Sequence, residues 1–254
     1  MSEQGLRVQK AIARAGLASR RGAEQFVAQG RVRINGRVVS EPGTCLEPGD
    51  DLAVDGKTLD WEATRPRELW ALYKPKRCVS TLSDPEGRAT VRDYFPKTSQ
   101  RIYPIGRLDY DAEGLLLLTN DGDLAQRVAH PSFRVPRVYL VKVKGILTPE
   151  TLAQLARGVE LDGRLRTPTG VRVLHTLADK TWLEVILQEG IQHHIKKMFA
   201  AVGHETLKIK RYQIGPVELA DMTPGTCRKL SQAEIRALLG EPAEAPLRQR
   251  PRSS

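Results

Sequence analysis

Apolar residues recur at helical spacing twice near the start of the chain. Val8, Ala11, Ile12 and Ala15 share one face of a short helix, and Gly16 stands where a helix-ending glycine belongs. Ser19 is placed to cap a second helix with Ala23, Phe26 and Val27 on its apolar face and Gly30 at its end. The period then drops to two. Arg31 to Asn35 alternates polar and apolar, Asn35-Gly36 is a strong hairpin turn, and Arg37-Val38-Val39 resumes the strand. A later pair of short strands turns at Asp55-Gly56. These elements predict a small α+β module over residues 1–62. Residues 63–68, with Pro66 and no periodicity, read as a linker.

A second domain is predicted over 69–240. It opens with an apolar strand, Leu69 to Tyr73, broken by Lys74-Pro75. A strand from Ile102 to Ile105 follows. The run Leu115 to Thr119 is continuously apolar up to its last residue, as in a strand buried on both faces, and ends in the turn Asn120-Asp121-Gly122. Tyr139 to Val143 forms another strand. Ile195, Met198, Phe199 and Val202 follow helical spacing and read as core. Ser231 and Glu234 make a capping box ahead of a final helix with Ile235, Leu238 and Leu239. Residues 241–254, rich in Pro, Arg and Ser, predict a disordered tail. No internal repeat is present, and no apolar run approaches the roughly 18 to 20 residues that cross a bilayer, so no membrane role is expected.

Charge sharpens this division. The chain has 254 residues, with 40 Lys and Arg against 30 Asp and Glu, a net of +10. The first forty residues carry eight bases and two acids, whereas residues 41–60 carry one base and six acids. The basic excess is therefore local, and an acidic partner is expected at the N-terminal module. Cys45, Cys78 and Cys227 have neither the number of a disulfide framework nor the spacing of a zinc site. With no apolar leader at the N-terminus, a cytoplasmic location is expected.

Leu6 to Val39, with Ser19-Arg20-Arg21-Gly22-Ala23 at its centre and Val32-Arg33-Ile34-Asn35-Gly36 at its end, resembles the αL-type RNA-binding domain of the ribosomal protein S-four kind. The resemblance implies that Arg7, Lys10, Arg20, Arg21 and Arg33 face RNA. Cations on one rigid face attract phosphates and release counterions, giving salt-sensitive affinity with little base specificity.

The candidate chemistry lies in Gly106-Arg107-Leu108-Asp109-Tyr110-Asp111-Ala112-Glu113-Gly114, an acidic loop between two predicted strands. Rigid flanks fix a carboxylate while the loop exposes it. Three readings compete at this level. Asp109, Asp111, Glu113 and Gly114 match the first, third, fifth and sixth positions of a calcium loop, but Asn120 replaces the terminal glutamate and a strand follows instead of a helix. A carboxylate pair also suits glycoside hydrolysis. An acidic surface turn is the bland alternative.

Gly106-Arg107-Leu108-Asp109, then Gly114 and the leucine run ending in Thr119-Asn120-Asp121-Gly122, resembles ribosomal RNA pseudouridine synthases of the small-subunit synthase A and large-subunit synthase B group, nearer the large-subunit branch. The similarity continues through Tyr73-Lys74-Pro75, Arg137-Val138-Tyr139-Leu140-Val141, and Glu189-Gly190 followed by Lys196-Lys197-Met198-Phe199. It implies an α+β chain whose catalytic domain is a mixed, mostly antiparallel sheet. The expected activity is uridine isomerisation in large-subunit ribosomal RNA, free or in a pre-ribosomal particle, by a monomer needing no cofactor or metal.

By resemblance Asp109 is the catalytic carboxylate, Arg107 fills the space of the everted nucleotide or holds its backbone, Tyr139 stacks on uracil, Lys196 supplies a cation to Asp109, and Lys74 touches phosphate. The chain departs from the family pattern at several points. Lys196 stands where relatives carry Arg, Ile191 replaces Arg, His193-His194 occupies a stretch rich in Arg, Asn and Gln, and Arg77 replaces Gly. A small-subunit enzyme shares every one of these motifs, and a non-catalytic ribosome-assembly protein is the rival of another class.

Overall fold

The computed structural model describes residues 5–63, 65–96 and 100–241, so the predicted tail falls, apart from Glu241, outside the described residues. The chain divides into two compact units, one comprising the described residues up to Glu68 with 100–102 and 120–122, the other the remainder.

In the first unit β1 (Leu6–Arg7) leads into α1 (Val8–Arg14) and α2 (Arg20–Ala28), followed by β2 (Val32–Ile34), β3 (Arg37–Val38), β4 (Cys45–Leu46), β5 (Leu52–Val54) and β6 (Lys57–Thr58). Strands β3-β2-β5-β6 form one antiparallel sheet, and β1 pairs with β4. Val8, Ile12, Ala23, Val27, Val32, Leu46 and Leu52 make the core. The Ser19 hydroxyl accepts the Gly22 N–H at 3.0 Å, capping α2 as expected. Asn35-Gly36 and Asp55-Gly56 both have positive φ at their two residues, 50° and 77° in one and 52° and 76° in the other, the requirement of a tight hairpin turn.

Two acids of residues 41–60, Asp50 and Asp55, hold these turns. Asp50 accepts the Asn35 side-chain amide at 2.7 Å and the Glu47 N–H at 2.8 Å, and both bonds hold its carboxyl below the usual range. Asp55 takes both ends of the Arg31 fork, whose guanidinium also lies 4.2 Å from the Phe26 ring centre. Arg31 is thus structural. Arg7, Arg20, Arg21 and Arg33 are exposed and Lys10 half-buried. Trp61, at the edge of the predicted linker, packs on the core and donates its indole N–H to the Asp50 carbonyl at 2.9 Å.

The second unit contains β7 (Leu69–Lys74), β8 (Tyr103–Pro104), β9 (Glu113–Thr119), α3 (Gly122–Ala129), β10 (Arg137–Lys144), α4 (Pro149–Arg157), β11 (Val159–Leu161), β12 (Arg164–Arg166), β13 (Gly170–Leu177), β14 (Lys180–Leu187), α5 (His194–Ala201), β15 (Thr206–Ile214), β16 (Val217–Glu218), β17 (Cys227–Lys229) and α6 (Gln232–Leu239). The strand predicted over Ile102 to Ile105 is shorter: only Tyr103 and Pro104 pair in register with β9, and Ile102 and Ile105 on either side are buried. The Ser231–Glu234 capping box forms, and Arg228, which pairs with Glu234 at 2.6 Å, helps hold that carboxyl down at about 2.

The main sheet runs β13-β14-β10-β15-β9-β7-β17, with β16 beside β15 and β8 beside β9. Its named strand pairs are antiparallel except β9–β15. That parallel junction joins two halves with separate cores. One packs β10 and β14 under α4 and α5 around Val141, Leu183 and Phe199; the other packs β7 and β9 under α3 and α6 around Leu69, Leu115 and Leu117. Leu115 to Leu118 are fully buried, as the continuous apolar run implied. Each such leucine contributes about 2 kcal/mol by leaving water.

Gly114 makes the junction possible. It pairs with Arg211 across β9–β15 at φ +119°, and a Cβ there would lie 2.1 Å from the Arg211 carbonyl oxygen. Gly114→Ala is therefore expected to destabilise the second unit by about 3 kcal/mol or more, read as a lower urea midpoint. Gly106→Ala, whose Cβ would meet nothing within 4 Å despite a φ of +70°, is expected to cost about 1 to 2 kcal/mol.

Candidate active site

Between β8 and β9 the chain makes the loop carrying Asp109, and backbone bonds pin it from several sides. Ile105 N–H reaches the Leu117 carbonyl at 2.7 Å, Arg77 N–H the Tyr110 carbonyl at 2.7 Å, and Ala112 N–H the Asp109 carbonyl at 3.1 Å. Ser80 Oγ donates to the Leu108 carbonyl at 2.8 Å and accepts the Leu108 N–H at 3.0 Å. Arg77, the departure from glycine noted in the sequence, is held at φ 58°, the left-handed conformation that glycine adopts without strain.

Lys74 lies beneath this loop. Its side chain is fully buried, and Nζ donates to the Ala112 and Pro75 carbonyls, both at 2.9 Å. The expectation that it touches phosphate is corrected: its charge is spent on backbone carbonyls at the Asp109 loop. Burial pushes its pKa down to about 8, against the pull of Cys78, Asp109 and Asp111.

Asp109, with its side chain about one quarter exposed, opens onto a cavity of about 410 Å³. Tyr139 of β10, Arg211 of β15, Leu187 and the segment 189–195 form the walls, and Arg107 stands exposed at its edge. A volume of this order suits a small-molecule moiety such as a single base. A bulge in β10–β15 between Val138 and Tyr139 sets Tyr139 opposite Arg211, whose guanidinium lies 6.0 Å from the Tyr139 ring centre. Arg211 is buried. Its Nε donates to the Leu115 carbonyl at 2.7 Å and Nη1 to the Arg107 carbonyl at 3.5 Å, while Nη2 has no protein partner among the described residues.

Lys196 is not beside Asp109. Its Nζ sits 2.7 and 2.6 Å from the two carboxylate oxygens of Asp111. Burial raises the pKa of Asp111, but the bond and charge of Lys196 outweigh it, and the carboxyl ends below its ordinary value. The group that faces Asp109 is His193, with Nε2 3.7 Å from Oδ1. Glu113 pairs with Lys208 at 2.8 Å. Each acid of the loop thus has its own cationic or basic partner, and Glu113 already belongs to a strand. This is not a chelating calcium loop.

Two residues of the site escaped the sequence reading. His193 registered there only as a departure from a pattern. Arg211 carried a readable signal: with Ile209 and Ile214 it belongs to the buried positions of β15, and a cation among them asks for partners or a ligand. His194, read together with His193, is instead buried in the cavity wall. Burial lowers its pKa despite nearby Glu189, and neither ring nitrogen has a protein partner among the described residues.

A model of the RNA pseudouridylate synthase family matches residues 68–201, and one of the S4 domain matches residues 6–52. The chain belongs to the RNA pseudouridine synthase family. The synthase is 39% identical to the ribosomal large subunit pseudouridine synthase B of Bacillus subtilis over 234 residues, covering 91% of this chain and 95% of that one. It is also 39% identical to an uncharacterized RNA pseudouridine synthase of Aquifex aeolicus, covering 92% and 93%. The synthase B of Pseudomonas aeruginosa is 36% identical over 93% of this chain and 62% of its own length. A crystal structure of a pseudouridylate synthase superposes with a TM-score of 0.64 at 29% identity, covering 92% of the synthase and all of that chain.

The depressed pKa of Lys74 sets a pH dependence of stability. Below about pH 8 the folded synthase buries a cation; between about 8 and the ordinary lysine value of 10.5 the folded state has released the proton that the unfolded chain still binds. The stability of wild type minus that of Lys74→Met is expected to rise with pH through this window, measured by urea unfolding at pH 7.5, 8.5 and 9.5. A constant difference would contradict the burial account.

Proposed function

We propose that the synthase converts a specific uridine of large-subunit ribosomal RNA to pseudouridine, with Asp109 as the catalytic carboxylate. The observation that carries this reading is the placement of Asp109 on a loop clamped by Lys74, Ser80 and Arg77, at the mouth of a base-sized cavity walled by Tyr139 and Arg211. Similarity to relatives named as large-subunit enzymes supports the choice of RNA.

The reaction breaks the bond from ribose C1′ to uracil N1, turns the detached base, and joins C1′ to C5. The proton on C5 leaves and one is gained at N1, so the product has the composition of the substrate. What is needed is a group acting on the nucleoside, a surface that keeps the free uracil from escaping, and limited access for water. Asp109 acts on sugar or base. Tyr139, nearly buried and lining the cavity, is the stacking partner of the uracil. Arg107, exposed at the cavity edge, takes the space the everted nucleotide leaves, and a stacking guanidinium returns part of the few kcal/mol that eversion costs. Lys196 acts at one remove, holding Asp111 and with it the loop.

The exposed Arg7, Arg20, Arg21 and Arg33 of the first unit, with Lys10, supply phosphate contacts distant in sequence from the cavity. Depleting the synthase and mapping pseudouridine across both ribosomal RNAs is expected to show loss at a site in the large-subunit RNA, restored by wild type and not by Asp109→Asn. Loss confined to the small-subunit RNA would redirect the substrate; no loss at all would sink the enzyme reading. In vitro, Asp109→Asn is expected to lower the rate at least about a hundredfold. Arg20→Ala with Arg21→Ala is expected to weaken RNA binding and reduce the slope of log affinity against log salt by up to about 2, while thermal unfolding is unchanged.

A further inference from the structure

We infer that His193 is the positioning residue for Asp109, acting as an imidazolium, so that turnover in this synthase follows the protonation of a side chain at the N-cap of α5. This rests on the reading of Asp109 as the catalytic carboxylate. Four observations lead to it.

The first is the distance. His193 Nε2 and Asp109 Oδ1 are 3.7 Å apart. That lies within ion-pair range and beyond hydrogen-bond range, so the contact is one of charge and vanishes when the ring is neutral.

The second is the diversion of the alternative. Lys196, on the first turn of the same helix, has both oxygens of Asp111 within 2.7 Å and does not line the cavity. Lys197 is likewise taken by Asp162, at 2.6 and 2.8 Å.

The third is the backbone. His193 sits at φ 55° and ψ 29°, a left-handed conformation that costs a non-glycine residue about 1 to 2 kcal/mol, yet its carbonyl accepts the Lys197 N–H at 2.9 Å and starts the helix. The turn that aims the ring at Asp109 is therefore part of the helix start and not a loose loop.

The fourth is the surroundings of the pair. From β7, Lys74 bonds only to backbone carbonyls, though its charge also acts on Asp109; from β15, Arg211 bonds to carbonyls with two of its nitrogens; from the loop, Arg107 is exposed at the cavity edge; on the segment before α5, Glu189 is held by Arg166 at 2.7 Å and His194 is buried. Asp111 also feels His193, whose charge lowers its pKa after the stronger effects of burial and Lys196. The positive charge of the ring thus acts on Asp111 as well as on Asp109. Histidine is the side chain whose charge can change near neutral pH, whereas an arginine at this position would keep a constant one.

The test is single-turnover isomerisation of a large-subunit ribosomal RNA transcript carrying tritium at uridine C5, read as tritium release from pH 5.5 to 8.5. Wild type, His193→Gln and His193→Arg are compared at saturating RNA, with RNA affinity measured separately. Wild type is expected to lose rate several-fold between pH 6 and 8. His193→Gln should be about tenfold slower at pH 6 with a flattened profile and an RNA affinity within about twofold of wild type, and His193→Arg should restore the rate and remove the slope. A glutamine variant with the wild-type rate and profile, or an arginine variant that keeps the wild-type slope, overturns the inference. If wild type releases no tritium from either ribosomal RNA, the proposed function fails and takes this inference with it; if only Asp109→Asn is silent and the His193 variants match wild type, the function stands and the inference alone falls.

Discussion

The second unit depends on one close approach, the parallel contact of β9 with β15 at Gly114 and Arg211. A side chain at position 114 would overlap the Arg211 carbonyl, so the two strands meet there only because glycine has no Cβ. The same contact lays the Arg211 side chain under the loop, where it holds the Leu115 and Arg107 carbonyls and reaches the cavity. Two half-sheets, each with its own core, are thereby fused at the point where the candidate site lies. A glycine in a motif next to a carboxylate reads as loop flexibility; here it is a packing requirement.

Charge is neutralised locally throughout. Asp109, Asp111 and Glu113 lie within five residues, and each has a separate partner in His193, Lys196 and Lys208. Lys74 spends its ammonium on two carbonyls in the interior, where an unpaired cation would be costly. In the first unit Asp50 and Asp55 are taken up by the hairpins and by Arg31, while Arg7, Arg20, Arg21 and Arg33 are exposed. The net charge of +10 therefore understates how strongly the first forty residues favour a polyanion.

Much of this was legible in the sequence, for local reasons. Ser19, Asn35-Gly36, Asp55-Gly56 and the Ser231–Glu234 box are short-range devices whose geometry follows from residue type, and the fully buried run Leu115 to Leu118 announces itself by lacking alternation. The stretch from Ile146 to Gln188, by contrast, contributed no predicted element, although α4 and β11 to β14 lie there. Strands such as Gly170–Leu177, with mostly exposed side chains at the edge of the sheet, leave a weak period. The site divided in the same way. Asp109 and Tyr139 were found through motifs, but the destinations of Lys74 and Lys196 are tertiary facts: a lysine after a strand looks the same in sequence whether it reaches solvent or folds back onto the carbonyl of Ala112.

The Arg211 guanidinium has Nε and Nη1 bonded to the Leu115 and Arg107 carbonyls, and leaves Nη2 buried without a protein partner among the described residues. A donor fixed in this way acts as a filter on whatever enters. An occupant that presents a carbonyl or other acceptor to that nitrogen makes a bond to a charged donor, worth about 1.5 to 3 kcal/mol, that one presenting a donor or a methyl group forgoes. Selection at such a position comes from the edge that completes the guanidinium, and the geometry that closes the sheet has already set where that edge must lie.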